Sequence, residues 1–314
     1  MRVREVFALL IFGCSSNTLP IDAQAGPSVA ASGPADRALF DRTFSDGKAE
    51  VSGYDLFMPR YGELRHGRAV AIFVTEPYSK SSNVKVDHFD ASNPDHQNVL
   101  KLNLIRKFQT GVYDYSLLTS VFADPDADFR PHEVSFSSQE WCGHVYEETV
   151  ATPTGWKVRT ESYFEGETKT AEVEGLDVLP EDALLIRLRG LRSATLPTKG
   201  GPLRLLSSAT QRRLLHRPAL AYETDLSYSE TARDVTVPAG TFATRTATYR
   251  REDGKSCGFD LEVSYPHRII GWSCEDGEVA KLTGTERIPY WNLQGEGQEK
   301  GLGGLGLGVP KLSP

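Results

Sequence analysis

Apolar and polar residues alternate along much of the chain. Leu100, Leu102 and Leu104 are separated by Lys101 and Asn103, and a period of two places alternate side chains on opposite faces of a strand. Residues 48–56 lead to the turn residues Pro59-Arg60-Tyr61-Gly62, and 69–75 is an apolar run rich in β formers. Residues 112–122 follow Thr110-Gly111, 133–150 carry two more strands, and 156–165 carry another. β-Branched and aromatic residues between Gly, Pro and Asp turns predict antiparallel sheet. The C-terminal third reads as a meander. Strands over 222–233, 235–242, 243–251, 257–264, 268–274 and 278–287 are separated by turn dipeptides such as Asp253-Gly254 and Asp276-Gly277.

Two short segments fit a helix instead. Pro180-Glu181-Asp182 supplies a proline and an acidic first turn, Leu184, Leu185 and Leu188 form a stripe, and Gly190 ends it. A shorter helix fits 36–44. No regular βαβ alternation follows, which excludes a doubly wound sheet. The expected architecture is mainly β: a large curved antiparallel sheet or open half-barrel with one or two short helices. It spans 37–293, with 177–202 as the junction if the domain has two halves.

The ends of the chain carry a different pattern. Met1-Arg2-Val3-Arg4-Glu5 is a cationic start, followed by an apolar run and Gly13-Cys14. Residues 1–13 read as a processed signal segment. Ile11-Phe12-Gly13-Cys14 resembles the lipobox of bacterial lipoproteins, and that resemblance implies lipid attachment at Cys14 and anchorage in a membrane. A plain secretory signal with a fortuitous cysteine is the alternative. Ser15 stands where an aspartate would resemble an inner-membrane retention signal, so the implied address is the outer membrane, facing the periplasm or the exterior. Residues 14–36 have few large apolar groups and read as a flexible tether. Residues 294–314, with the run Gly301-Leu302-Gly303-Gly304-Leu305-Gly306-Leu307-Gly308, are expected to be disordered.

Composition narrows the partners. The 314 residues carry 35 Lys+Arg against 42 Asp+Glu, a net charge of −7, which disfavours nucleic acid as a partner. No apolar run reaches the ~18 residues of a spanning helix. Beyond Cys14 the cysteines are Cys142, Cys257 and Cys274. A hairpin turning at Tyr265-Pro266 would set Cys257 opposite Cys274, within disulfide reach. Two reduced, separately buried thiols are the alternative.

The run Val237-Pro238-Ala239-Gly240-Thr241-Phe242, with Gly271-Trp272-Ser273 and a further hairpin, resembles uncharacterised bacterial envelope proteins of the DUF3108 type over about 200–291. The resemblance implies a curved antiparallel sheet and an envelope address. A looser similarity links the pattern to half-barrel lipid-carrier lipoproteins.

Candidate chemistry is sparse. On a strand, Glu140, Cys142 and His144 would share one face, where imidazole and carboxylate can activate a thiol. The same residues also fit an unreactive cysteine in a sheet. Asp87-His88-Phe89-Asp90 and Asp95-His96 are metal-ligand types whose spacing matches no closed site, so no metal or other cofactor is expected. Asp124, Asp126 and Asp128 begin like a calcium loop, but Phe129 and Ser135 stand where that loop needs glycine and glutamate. Residues 206–215 are similar to the phosphate-site motif of the Maf nucleotide pyrophosphatases. The similarity carries Ser207, Thr210, Arg212 and Arg213 over as nucleotide ligands and implies a strand, loop and helix there. Gln211 replaces that motif's proline, and the motif lies late in a chain that otherwise reads as β meander. Tyr113, Tyr115, Tyr163, Phe164, Tyr290 and Trp291 either line an apolar groove or pack an ordinary core.

The leading expectation is a non-enzymatic envelope lipoprotein that binds an apolar ligand or an envelope protein. It requires an apolar cleft and no convergent titratable cluster. A thiol-dependent hydrolase or transferase using Cys142 and His144 is second, and a Maf-like pyrophosphatase third.

Overall fold

The computed structural model describes residues 36–308. The expected signal segment 1–13, Cys14, the expected 14–36 tether except Asp36, and residues 309–314 lie outside them.

A meander comes first. β1 (Ala49–Arg60), β2 (Glu63–Ser79), the short β3 (Val84–Lys85), β4 (His96–Thr110), β5 (Tyr113–Asp124), β6 (Arg130–Glu140), β7 (Gly143–Thr152), β8 (Gly155–Ser162) and β9 (Lys169–Glu174) are joined mostly by tight turns. After β10 (Val178–Pro180) and β11 (Gly201–Leu206), a second meander runs through β12 (Ala221–Tyr228), β13 (Arg233–Val237), β14 (Gly240–Arg251), β15 (Ser256–Glu262), β16 (Ile269–Cys274) and β17 (Val279–Ile288). β17 returns to pair antiparallel with β1, from Ala49 opposite Ile288 to Phe57 opposite Val279. That ladder fuses the two meanders into one sheet ordered β9-β8-β7-β6-β5-β4-β2-β1-β17-β16-β15-β14-β12-β11-β10. These 15 strands curl into a nearly closed barrel, with β3 and β13 as short additions on β2 and β14. The seam lies between β9 and β10. A buried side chain bridges it: Trp156 Nε1 on β8 donates to the Val178 carbonyl on β10 at 2.8 Å.

The β10–β11 pair is parallel, because the chain between them crosses the barrel interior instead of turning back. Residues 177–202 are therefore an internal crossover within one sheet, and the two halves meet instead at the β1–β17 ladder. The crossover carries a 3₁₀ turn (Glu181–Ala183) and a single helical turn, α2 (Leu184–Arg187). Ala183, Leu184, Ile186, Leu188 and Leu191 are buried there, with Phe40 and Phe44 of α1 (Arg37–Phe44) in the same core. The Asp36 side chain caps α1 by accepting the Leu39 N–H at 2.9 Å. A third helix, α3 (Ala209–Leu215), also lies inside the sheet. Sequence periodicity missed it because it is short and carries Arg212 and Arg213 inward.

The glycine-rich end departs from expectation as far as it is described. Gln298–Leu305 forms 3₁₀ turns, and Leu305 and Leu307 are buried with Ala49, Val51 and Val74. These residues alternate with the core-facing set on β1, so the tail covers the outer face of the barrel. Gly53 lies opposite Gly284. A Cβ on Gly53 would fall 2.4 Å from the Leu305 carbonyl, and one on Gly284 would fall 2.4 Å from that of Gly304. Glycine here permits close approach of two backbones.

Candidate functional site

α3 is a partition. The Ser208 side chain caps it by accepting the Gln211 N–H at 3.2 Å, and His216 closes it in a left-handed conformation. Helical spacing then sends Thr210, Gln211 and Leu214 to one side, and Ala209, Arg212, Arg213 and His216 to the other. A cavity lies on each side.

The first cavity measures about 250 Å³. Its wall is apolar: Met58 from β1, Leu102 and Leu104 from β4, Leu185 from α2, Leu214 from α3, and Phe259 and Trp272 from β15 and β16. The Cys257–Cys274 disulfide forms part of it. Those cysteines are directly opposed, with Cα atoms 4.0 Å apart, as a hairpin turning at Tyr265-Pro266 requires. The other end is polar. Glu181 accepts from Tyr249 Oη at 2.7 Å, Lys255 Nζ at 2.8 Å and Arg251 Nη1 at 2.8 Å. Burial works to raise the Glu181 carboxyl, but Lys255 and Arg251 outweigh it and hold the group below its usual range. Arg106 Nε and Trp272 Nε1 both donate to Glu278 Oε1, at 3.1 and 2.8 Å. Asp182 is pushed by burial up to about 6. The expectation of a cleft without convergent titratable groups is thus corrected. Glu181 and Asp182 stand in the acidic first turn of the helix expected from Pro180 to Gly190, and the crossover buries them.

The aromatic residues expected to line a groove do not line this cavity. Tyr115 is fully buried and its hydroxyl meets Arg60 and Tyr61. Tyr163 is exposed, Phe164 lies under the Arg213 guanidinium, and Trp291 is exposed. The lining residues occupy alternate positions on β4, β15 and β16, a signal present in the sequence but shared with every core position.

The second cavity, about 180 Å³, is bounded by Phe136, Val145, Val158 and Ala171 and by Lys169, Arg212, Arg213 and Arg217, with Glu147 and Glu167. Arg212 Nε donates to Glu147 Oε1 at 3.1 Å, and Arg213 Nη2 to Glu140 Oε1 at 3.0 Å. His216 pairs with Glu167.

The segment resembling the pyrophosphatase motif does form a strand, a loop and a helix, β11–Ser207-Ser208–α3. Most of its ligand positions are engaged within the protein. Arg212 and Arg213 hold glutamates, Asp182 Oδ2 accepts the first helical N–H, from Ala209, at 3.1 Å, and Thr210 Oγ1 lies 3.5 Å from Arg106 Nη1. A nucleotide phosphate would have to displace carboxylates from the Ala209 N–H and from Arg212, and of the two arginines only Arg213 keeps nitrogens without a partner.

Glu140, Cys142 and His144 do not share a strand face. β6 ends at Glu140 and β7 begins at Gly143, so Trp141-Cys142 is the hairpin turn. Cys142 is exposed, and its N–H donates to Glu140 Oε2 at 2.7 Å. The Glu140 carboxylate beside it pushes the thiol up, against thiolate formation. In the acidic loop, Asp95 accepts from Ser79 Oγ at 2.5 Å and the Ser81 N–H at 2.7 Å, and Asp90 from the Ser92 N–H at 2.8 Å. These carboxylates brace their own turns.

A nearly closed antiparallel barrel with a crossover through its interior and cavities on either side of one helix defines the protein structurally. The sequence matches no family model and no curated protein. Among solved structures it is similar to a β-barrel-like protein of the domain of unknown function DUF1849 from Brucella abortus. That likeness has 13% identity and a TM-score of 0.46, covering 76% of this chain and 98% of the other. A DUF1089 family protein from Pseudomonas aeruginosa shares 14% identity at a TM-score of 0.34, over 54% of this chain and 82% of the other.

Proposed function

We propose that this chain is a non-enzymatic envelope lipoprotein whose barrel binds a small ligand, apolar along its body and polar at one end. The lipobox-like Cys14 supports the address, and the first cavity supports the binding. The observation that carries the reading is the division of that cavity into an apolar wall and one polar end. Apolar surface removed from water there stabilises a complex by roughly 25 cal/mol per Å², and a few placed polar groups fix orientation. Glu181, Asp182, Asp276 and Glu278 face Arg106 and Lys255 in the lining, so carboxylates are in excess. The matching head is a hydrogen-bond donor or a cation.

Mass spectrometry of full-length protein extracted from its native membrane tests both parts. The expected result is an acylated N-terminal peptide beginning at Cys14 and a co-purifying small molecule that Leu104→Trp, which fills the cavity, no longer retains. A peptide retaining Met1 overturns the address. Unchanged retention by Leu104→Trp overturns the binding site.

A further inference from the structure

We infer that the second cavity is a separate site for an amphipathic oxyanion, a carboxylate or phosphate monoester carried on an apolar chain. The observation behind it is Arg213. Its side chain is 2% exposed, its guanidinium carbon sits 4.1 Å from the centre of the Phe164 ring, and its Nη2 is used by Glu140. Its Nε and Nη1 are buried and have no hydrogen-bond partner. Buried donors are almost always satisfied, and a guanidinium suits oxyanions better than any other side chain does. The vacant donors belong to a residue that lines a cavity.

The surroundings select the sign of the ligand. Arg212 is matched by Glu147 and His216 by Glu167. Lys169 and Arg217 are exposed in the lining and form no ion pair among the described residues. An anion therefore meets two uncompensated cations at the mouth and the vacant Arg213 nitrogens within. Phe136, Val145, Val158 and Ala171 supply an apolar floor, so an ion with an attached chain gains what a bare ion cannot. Across α3 the first cavity has the opposite bias, with carboxylates in excess, and repels the same ligand. One short helix thus separates two sites of opposite charge preference.

Methyl NMR and calorimetry on the full chain test this with four probes: decanoate, decyl phosphate, inorganic phosphate and decyltrimethylammonium. Decanoate or decyl phosphate is expected to shift the Val145 and Val158 methyls while leaving Leu104 and Leu185 in place, and to bind at least tenfold more tightly than inorganic phosphate. The two chain-bearing anions distinguish a carboxylate head from a phosphate head. Arg213→Gln is expected to weaken binding at least tenfold. Because that change strands Glu140, the double variant Lys169→Glu, Arg217→Glu at exposed positions is the independent check, with the same direction expected at unchanged melting temperature. Equal binding of the ammonium probe, equal binding of inorganic phosphate, or indifference to the charge reversal would overturn the site. Shifts confined to Leu104 and Leu185 would overturn it too, while leaving the first cavity's role intact.

Discussion

Asp182 accepts the backbone N–H of Ala209 at 3.1 Å, so a carboxylate from the buried crossover sits against the first turn of α3. The contact ties the two interior segments together and satisfies one of the free N–H groups at the helix start. Burial still dominates and raises the Asp182 carboxyl from its ordinary 3.8 to about 6.

That shift makes Asp182 a source of pH dependence. Between the two values the folded chain holds a proton that the unfolded chain has released. The stabilisation is therefore complete below pH 3.8 and disappears as the pH rises through 6. Asn keeps the acceptor for Ala209 and has no charge to bury. Asp182→Asn is expected to exceed the parent in stability at pH 8 by on the order of 2 kcal/mol, and to match it near pH 4. Urea unfolding at the two pH values measures the gap, and a gap independent of pH refutes the assignment.

Among the described residues Arg189 and Glu50 form the most enclosed ion pair, with exposures of 0% and 2% and a 2.9 Å contact. Arg189 also lies 4.4 Å from the Phe73 ring centre and donates to the Pro266 carbonyl at 2.9 Å. Arg189→Met leaves Glu50 charged and unpaired in the interior, at an expected cost of about 3–5 kcal/mol. Adding Glu50→Leu is expected to recover most of that loss, because removing both charges removes the stranded one. A double-mutant cycle by denaturant unfolding reads this directly.

The tail gives a local prediction. Gly284→Ala places a methyl where the Gly304 carbonyl lies, so the two backbones must separate. Leu305 and Leu307 are expected to leave their cover of the outer face. Amide exchange over 295–308 should then accelerate at least tenfold while the interior of β1 keeps its protection. Unchanged exchange in the tail contradicts the docking.

Cys142 gives a test of thiol chemistry. Its turn is exposed, but Glu140 disfavours the thiolate. Iodoacetamide should react more slowly than with free cysteine at pH 7, with the rate still rising above the ordinary thiol range. Glu140→Gln should speed the reaction severalfold. Fast, pH-independent alkylation at pH 7 would favour the thiol-enzyme reading instead.

The strands were legible because their signals are local. Alternation at Leu100, Leu102 and Leu104, and turn pairs such as Asp253-Gly254, act over a few residues, and the opposed Cys257 and Cys274 follow from one hairpin. The polar end of the first cavity was not legible. Glu181, Lys255 and Glu278 come from segments far apart in the chain, and nothing local distinguishes a buried carboxylate at 181 from a solvated one. Arg213 was noticed only within a short motif resemblance, and its vacant nitrogens depend on what the barrel brings to Phe164 and Glu140. The glycine run at 301–308 misled in the opposite direction, because composition suggests disorder and only the facing glycines at 53 and 284 show a docked segment.

The sequence by itself determined most of the strands and the sheet class, because period, turn chemistry and β propensity are properties of neighbours along the chain. The tertiary structure alone decided that β17 closes on β1, that residues 181–191 run through the interior, and that α3 divides an acidic cavity from a basic one. Those outcomes depend on which distant surfaces exclude water from each other. Charge and burial at a site are set by that exclusion and not by local pattern.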